Sequence, residues 1–168
     1  SGLDEVDLLY LEQPYRPETG WEAFARLRAN LSTPICLDES ITGLPTLRSA
    51  IAADACDVVN VKPARLVGLR AAVEIHDLAV DAGLGLVVGG LLETGIGRAA
   101  SAALARLPGF TFPADLSASQ RYWERDLTIP SWELVDGTLE VMDRPGIGVE
   151  VDADYLDEIA ESRHSLPH

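Results

Sequence analysis

Short apolar runs alternate with segments of helical periodicity over the first two thirds of the sequence. The runs predict strands that are covered on both faces, because they are brief, rich in Val, Leu and Ile, and bounded by Gly, Pro or Asp. The predicted strands are Val6–Glu12, Ile35–Asp38, Val58–Lys62, Gly85–Gly89 and Phe110–Phe112. The segments between them predict helices over Gly20–Leu31, Leu44–Ala53, Val67–Ala82 and Ile96–Arg106.

The predicted strands are spaced regularly along the chain. Their carboxyl ends recur about every 25 residues, which is the length of one strand–helix unit. Repeated strand–helix units form a parallel sheet, so the fold class is α/β. The sheet is either doubly wound or part of a (β/α)8 barrel. No G-x-G-x-x-G motif follows any strand, so dinucleotide binding has no support.

The pattern changes after residue 112. A loop or short helix is expected over the polar and aromatic stretch Ala114–Asp126. Irregular β structure is expected over Thr128–Val151, then a closing helix at Asp154–Ser162 and a loose tail from His164 to His168. We therefore divide the chain into a strand–helix region, residues 1–127, and a C-terminal extension, residues 128–168.

The third predicted helix carries a recognisable apolar face. The spacing of one helix face is approximated by Leu66, Leu69, Val73, Ile75 and Leu78. His76 falls outside this spacing, and we expect its side chain on the helix surface.

The net charge of the chain argues against two classes of binding partner. The 168 residues include 27 Asp and Glu against 13 Lys and Arg, which gives a formal net charge of −14. This charge repels phosphate backbones and anionic membranes, so neither nucleic acid nor a membrane is an expected partner. Apolar residues make up 47% of the chain, which is enough for a globular core.

Cysteine usage and hydropathy favour a reducing compartment. Cys36 lies in a predicted strand and Cys56 follows an Ala-rich segment, so both are expected to be buried thiols. No apolar run approaches the roughly 18–20 residues of a membrane span, and no signal peptide opens the sequence. We therefore expect a cytoplasmic protein.

Three consecutive predicted strands end in charged side chains. Because side chains alternate between strand faces, Glu12, Asp38 and Lys62 point to one face, with Asn60 beside Lys62. Function in parallel α/β folds gathers at the carboxyl ends of the strands. On neighbouring strands the two carboxylates are positioned to bind one Mg²⁺ ion, which prefers oxygen ligands. Helix caps and ion pairs with arginine are the structural alternatives.

Lys62 is the candidate for proton transfer. It stands after four mostly apolar residues and before a proline that favours extended backbone, so bulk water reaches it poorly. Desolvation suits a lysine to proton transfer. A salt bridge to Asp38 or Glu12 is the alternative.

A glycine-rich connection, Gly89–Gly95, follows the fourth predicted strand. Glycine lets the backbone approach a ligand closely, and the N-terminus of the next helix offers N–H groups to an anion. An ordinary tight turn is the alternative. The polar segment Asp115–Ser119 follows the fifth strand and belongs at the same end of the sheet.

Four motifs lie at the carboxyl ends of predicted strands: LEQP (Leu11–Pro14), PICLDES (Pro34–Ser40), NVKPARLVG (Asn60–Gly68) and GGLLETGIGRAA (Gly89–Ala100). Together these motifs resemble those of the enolase superfamily. Two further runs are LPGFTFPADLSAS (Leu107–Ser119) and RYW (Arg121–Trp123). These two narrow the similarity to the muconate-lactonizing subgroup and, within it, to the o-succinylbenzoate synthase/N-acylamino acid racemase family. The resemblance runs from about residue 9 to residue 148.

The resemblance implies the C-terminal part, about the fourth to the eighth strand, of an enolase-type (β/α)7β barrel. It implies that Glu12 and Asp38 bind Mg²⁺, with Mn²⁺ as an alternative, and that Lys62 is a catalytic residue. It also implies substrate contacts from Asn60, Gly90, Leu91, Leu92, Asp115 and Tyr122.

Departures from related patterns favour this family over its neighbours. The run GLVVG (Gly85–Gly89) lacks the histidine of the mandelate racemase type, and Ser117 replaces the second aspartate of the dipeptide epimerase type. The implied reaction abstracts a proton α to a carboxylate of a small-molecule substrate. It ends in dehydration in the synthase, which serves menaquinone biosynthesis, and in inversion of an N-acylamino acid in the racemase.

The family pattern also needs parts that this sequence does not contain. These are a Lys-x-Lys strand, a third carboxylate ligand and an N-terminal lid domain. We therefore expect either a companion chain that carries the missing N-terminal half or a non-catalytic fragment. The complete enzyme is expected to be a homo-oligomer.

Overall fold

The computed structural model describes residue 2, residues 4–162 and residue 164. Four strands form one parallel sheet in the order β1-β2-β3-β4. They are β1 (Leu11–Glu12), β2 (Ile35–Leu37), β3 (Val58–Val61) and β4 (Gly85–Val88). The helices are α1 (Trp21–Arg28), α2 (Leu44–Ala52), α3 (Leu69–Asp81) and α4 (Gly95–Leu104). The predicted α/β class, parallel sheet and element order are confirmed.

The fifth predicted strand is reduced to two isolated bridges. Phe110 pairs with Leu86 and Asp115 pairs with Gly89, both in parallel. Pro113, which has no N–H to donate, lies between the two bridges and interrupts the ladder. The N–H of Asp115 resumes the ladder by donating to the last carbonyl of β4 at 2.9 Å.

The first strand is shorter than predicted. Val6 belongs to a 3₁₀ turn over Asp4–Val6, and only Leu11–Glu12 pair with β2. Within the described residues β1 has a partner strand on one side only, so the segment before Leu11 has no second ladder to join. Leu9 is 64% exposed. The apolar run before Leu11 therefore belongs neither to a strand nor to the core.

The two faces of the sheet bury separate groups of side chains. The outward face packs against the helices in one continuous core that includes Ile35, Leu37, Val59, Val61 and Leu86. The inward face holds a smaller cluster, which we call the inner floor: Cys36, Val58 and Val87, with Tyr10 and Phe112 against them. Tyr10 and Phe112 meet edge to face with ring centroids 5.4 Å apart. The inner floor supports the side chains at the carboxyl ends of the strands.

Both cysteines are buried free thiols, as predicted. Cys36 lies in the inner floor and Cys56 in the outward core. Burial raises the pKa of Cys56 to about 12 and raises the pKa of Cys36 as well, so neither is a reactive thiolate at neutral pH.

Helix α3 turns small side chains to the sheet. Its buried residues are Ala72, Ile75, His76 and Ala79. Leu69 and Val73, which were expected on the buried face, are 41% and 37% exposed. The buried face therefore combines Ile75 with two alanines, which let the helix backbone approach its neighbours closely, and it does not include Leu69 or Val73. The prediction that His76 lies on the helix surface is wrong.

Contacts on both edges of its ring hold His76 in place. Its Nε2 lies 2.5 Å from the carbonyl oxygen of Pro108, and because a carbonyl only accepts, Nε2 carries the hydrogen. Its Nδ1 lies 2.8 Å from a carboxylate oxygen of Asp77. The ring also stacks on Phe110 with centroids 5.4 Å apart. His76 thereby ties α3 to the segment that forms the fifth-strand bridges.

The C-terminal extension is irregular β structure, as predicted. Its elements are β5 (Thr128–Ile129), β6 (Leu134–Val135), β7 (Thr138–Leu139), β8 (Glu150–Val151) and α5 (Ala153–Ile159). β5 pairs with β8, and β6 with β7 across a turn at Asp136 and Gly137, both antiparallel. Trp132 packs against α4 and joins the extension to the strand–helix region.

The predicted tail is described only at His164, which is exposed. The rest of that prediction, residues 165–168 with His168, lies outside the described residues. In the part of the chain that the structure describes, no helix is both long and apolar enough to cross a membrane.

Replacing His76 with leucine should lower the free energy of unfolding by roughly 1–3 kcal/mol, because the hydrogen bond to Pro108 and the ring stacking are lost. Urea unfolding measures this change. The matched control is Glu74→Gln, an exposed residue of the same helix, and it should change stability by less than about 0.5 kcal/mol. Equal stability of His76→Leu and the unmodified chain would contradict the role of the histidine.

Candidate active site

The candidate site lies above the inner floor, at the carboxyl ends of β1, β2 and β3. Strand alternation brings four polar side chains onto the inward face there: Glu12, Asp38, Asn60 and Lys62. Asn60 is only 1% exposed and Asp38 only 2%, although both carry polar groups. Polar groups are buried this deeply when partners satisfy them, so the pairing of these residues determines the site.

Asp38 is held between two cations. Its Oδ2 is 2.5 Å from Lys62 Nζ, and its Oδ1 accepts from Arg65 Nη1. The same guanidinium donates to the backbone carbonyls of Asn60 at 2.7 Å and Ile41 at 3.1 Å. Arg65 therefore ties the carboxylate of β2 to the end of β3. Sequence reasoning missed Arg65, although it stands three residues after Lys62 in the quoted motif.

Gln13 fixes the backbone at Asp38. Its side-chain carbonyl accepts from the N–H of Asp38 at 2.9 Å and from the N–H of Ser40 at 3.2 Å, and its amide donates to Ser40 Oγ at 2.7 Å. Gln13 has a positive φ of 39°, which turns the chain away directly after β1. Sequence reasoning missed this residue too, because a polar residue after a strand predicts only a turn.

Glu12 is the second carboxylate of the site. Its Oε1 accepts from Asn60 Nδ2 at 3.1 Å. Burial raises the pKa of Glu12, the hydrogen bond from Asn60 opposes that rise, and repulsion by Asp38 adds to it. Glu12 and Asp38 are therefore close enough for their negative charges to interact.

The two carboxylates fit part of a Mg²⁺ donor set. They supply hard oxygen ligands from neighbouring strands, and a cation between them would relieve the repulsion that raises the pKa of Glu12. Among the described residues no group of three or more His, Cys, Asp or Glu side chains is arranged to hold a metal. Mg²⁺ takes about six oxygen ligands, so most of the shell would come from water, substrate or other protein groups.

Gly89 is required where β4 passes the site. A Cβ atom there would lie 2.4 Å from Asn60 Oδ1 and 2.4 Å from Lys62 Cε. Asn60 Oδ1 is also buried and has no hydrogen-bond partner. The absence of a side chain at position 89 thus makes room for both Asn60 and Lys62. Sequence reasoning selected Gly90 from this pair of glycines and passed over Gly89.

The structure places Gly90 and Asp115 beside this group. Gly90 N–H donates to the carbonyl oxygen of Asp115 at 2.7 Å, and a Cβ on Gly90 would lie 2.9 Å from the same oxygen. The carboxylate of Asp115 belongs to an exposed residue. At the glycine pair the backbone therefore approaches the segment after Pro113, and the predicted approach to a ligand stays a prediction.

The other three predicted substrate residues lie further out. Leu91 and Leu92 are 45% and 74% exposed on the loop after β4. Tyr122 is half-buried, and its hydroxyl lies 3.3 Å from Ser117 Oγ. Tyr122 is connected to the glycine pair through the segment from Asp115 to Ser117 and not by direct contact with Lys62.

Comparison with known proteins agrees with this architecture. The family model described as "Enolase C-terminal domain-like" matches residues 1–155. An N-succinylamino acid racemase from Thermus thermophilus is 46% identical over 157 residues, which are 94% of this chain and 42% of that protein. An o-succinylbenzoate synthase from Bacillus subtilis is 42% identical over 154 residues, 92% of this chain and 41% of that protein. The chain thus spans less than half the length of these curated relatives.

Solved structures give the same result. A member of the enolase superfamily from Listeria innocua superposes with a TM-score of 0.89 at 37% identity, over 95% of this chain and 43% of that one. Muconate lactonizing enzyme from Pseudomonas putida superposes with a TM-score of 0.87 at 28% identity, over 95% of this chain and 44% of that one. The chain therefore belongs to the enolase C-terminal domain-like family and has the fold of the C-terminal portion of an enolase-superfamily barrel.

Proposed function

We propose that this chain supplies the C-terminal half of the active site of an o-succinylbenzoate synthase. The reaction removes a proton α to a carboxylate and then eliminates water, as a step of menaquinone biosynthesis. The observation that carries the proposal is the convergence of Lys62, Asp38 and Glu12 at the carboxyl edge of a parallel sheet. The relatives named as synthases support the choice of substrate class, a small carboxylate.

Glu12 and Asp38 are the residues that would hold Mg²⁺, with Mn²⁺ as the alternative. When bound, the ion supplies electrostatic stabilisation of the negative charge that develops as the proton leaves. Gln13 and Arg65 hold the Asp38 carboxylate in place for this task.

Lys62 acts at the carbon that loses the proton. Its Nζ emerges above the inner floor with only 13% of the side chain exposed, so water competes weakly for it. In the synthase, Lys62 stabilises the anion from the face opposite the base, and the base comes from a strand outside this sequence. Asp38 holds the amine, and the absence of a side chain at Gly89 leaves room for the stem of Lys62.

Racemisation of N-acylamino acids is the alternative activity. A relative named N-succinylamino acid racemase shares 46% of its aligned residues with this chain, so similarity alone favours neither reaction. In the racemase, Lys62 would deliver or accept a proton itself, from the face opposite the other base. Both reactions begin with the same proton abstraction, which the same residues serve.

A hypothesis of another class is that this chain is non-catalytic alone and needs a companion chain. The chain covers about 42% of the racemase relative. In this hypothesis, the base and a third ligand belong to the remainder. We call the chain together with that remainder the complete enzyme, and propose that it is a cytoplasmic homo-oligomer. Co-purification of a polypeptide that carries Lys-x-Lys tests this arrangement.

Replacing Lys62 with alanine in the complete enzyme should lower turnover by roughly a hundredfold or more, the effect typical of removing a proton-transfer group. Lys62 is the only lysine in this sequence, so aminoethylation of a Lys62→Cys chain restores a single amine at a known place. Cys36 and Cys56 are buried and protected from the reagent in the native chain. Recovery of turnover after aminoethylation is expected; near-normal turnover of Lys62→Ala would refute the assignment.

Exchange of the α-proton distinguishes the two reactions. The racemase predicts that the complete enzyme incorporates deuterium from heavy water into N-succinylamino acids, and nuclear magnetic resonance detects this exchange. The synthase predicts dehydration of its own substrate at a rate that exceeds any such exchange. Rapid exchange without dehydration would make the racemase the main activity.

Replacing Gly89 with alanine should displace the side chains of Asn60 and Lys62. The new methyl group would overlap Asn60 and Lys62, so unfolding free energy should fall by about 1–3 kcal/mol and turnover by at least roughly tenfold. Gly2→Ala is the matched control, because a Cβ on Gly2 meets nothing within 4 Å. Urea unfolding and turnover measure the two effects. A Gly89→Ala enzyme as stable and active as the Gly2→Ala enzyme would show that position 89 tolerates a side chain.

A further inference from the structure

A buried polar network joins α4 to the segment that follows the fifth-strand bridges. Ser119 Oγ donates to Asp126 Oδ2 at 2.5 Å and accepts from Arg98 Nη1 at 3.3 Å. Asp126 Oδ1 accepts from the N–H of Gly95, the first residue of α4, at 2.8 Å. The side chains of Arg98 and Asp126 are 1% and 0% exposed. None of these residues contacts the group around Lys62 in the interactions described above.

Position 95 is as restricted as position 89. A Cβ on Gly95 would lie 1.9 Å from Thr128 Oγ1 and 2.8 Å from Asp126 Oδ2. The carboxylate of Asp126 therefore lies directly against the amino end of α4, where a negative charge is favourable. Trp132 adds to the junction by donating from Nε1 to the carbonyl oxygen of Gly95 at 3.0 Å.

Burying the guanidinium of Arg98 costs free energy, and its interactions within the network compensate only part of that cost. Its Nη1 lies 4.0 Å from Asp126 Oδ2, beyond hydrogen-bond distance, and its Nε is buried without a partner. A buried guanidinium that leaves a donor unsatisfied costs stability compared with an apolar side chain of the same size. Its charge also balances two carboxylates: it pairs with Asp126 at 4.0 Å, and its attraction opposes the rise that burial causes in the pKa of Glu93. These partners leave Nε unsatisfied and one face of the guanidinium against an aromatic ring.

The guanidinium faces Tyr122. Its Cζ lies 5.9 Å from the centroid of the Tyr122 ring, within the range of a cation–π interaction. The backbone N–H groups of Tyr122 and Trp123 both donate to the carbonyl oxygen of Ser119, at 3.0 and 3.1 Å. Ser119 thus sets the backbone that carries the ring, and Arg98 contacts the ring itself.

The same turn reaches the loop after β4. Trp123 Nε1 donates to the carbonyl oxygen of Glu93 at 3.1 Å, directly after Leu91 and Leu92 on that loop. The network therefore holds two outer segments in a fixed relation: the loop with the exposed leucines and the turn with Tyr122. Under the proposed function, the predicted substrate residues on these two segments would contact the part of a substrate that does not react.

We infer that Arg98 is a positioning residue that orients the Tyr122 ring for binding the non-reacting part of the substrate. Arg98 acts through Tyr122 and touches no reacting atom, so it contributes to KM and not to the proton-transfer step. The inference rests on the proposed function, because only that function gives Tyr122 a substrate to bind. Beyond that function, the inference assigns Arg98, which is buried in α4, a role in substrate affinity that it exerts through the Tyr122 ring.

A double-mutant cycle in the complete enzyme tests this inference. Arg98→Lys keeps a positive charge but loses the planar guanidinium, and we expect KM to rise roughly tenfold with kcat changed less than about threefold. In a Tyr122→Leu background the same Arg98→Lys change should leave KM unaltered, because the ring through which it acts is gone. Arg121→Lys is the matched control: its Cζ is also 5.9 Å from the Tyr122 centroid, but Arg121 is exposed. That control should leave KM unchanged.

The outcomes separate this inference from the proposed function. Equal effects of Arg98→Lys with and without the Tyr122 ring, or a change confined to kcat, would overturn the positioning role while the synthase or racemase activity stands. Absence of turnover by the unmodified complete enzyme with both substrate types would overturn the proposed function and the positioning role with it. If Arg98→Lys does not fold by circular dichroism, Ser119→Ala takes its place in the cycle, with the same expected dependence on Tyr122.

Discussion

The carboxylate of Asp38, held between Lys62 and Arg65, is the interaction on which the candidate site depends. At one edge of the parallel sheet, the carboxylates of Glu12 and Asp38 lie with the cations of Lys62 and Arg65. The formal charges of the site therefore sum to zero, although the net charge of the chain is −14. A bound dication would give the site a positive excess, which suits a substrate that carries carboxylates. The same balance keeps Asp38 buried without a metal, because each of its oxygens has a cationic partner.

The charged residues of the candidate site follow the strands, whereas the other predicted substrate residues lie on loops and turns. Glu12, Asp38 and Lys62 project from strands whose outward faces are locked against helices, so their positions follow from the core. The glycine pair lets β4 and the segment after it close around them without steric conflict. The exposed leucines and Tyr122 lie on segments held by one polar network and not by the sheet. Relatives with this fold and different reaction names are consistent with chemistry set on strands and substrate choice set on loops.

The sequence predicted the features that follow from strand periodicity. It missed the features that depend on contacts between side chains of different elements. Alternation in the second and third strands placed Asp38 and Lys62 on one face, because a fixed two-residue period leaves no other choice. It overextended the first strand, since an apolar run contains no information about whether a neighbouring strand is present. Arg65 and Gly89 were missed because their roles come from side chains of other strands. His76 was misplaced because the buried face of α3 consists of Ala72, Ile75, His76 and Ala79, and leaves out Leu69 and Val73.

The buried arginine of α4 shows how the C-terminal extension bears on a site that it does not line. Asp126 lies against the first residue of α4, and Trp132 donates to that residue from the extension. Trp132 also exchanges two hydrogen bonds with Ser119, donating to its Oγ at 3.2 Å and accepting from its N–H at 2.8 Å. Removing the extension would therefore weaken the anchoring of the turn that carries Tyr122. Under the proposed function, proton transfer and substrate affinity would therefore have separate structural supports, so a change in the extension would alter which carboxylate is bound without altering how its proton is removed.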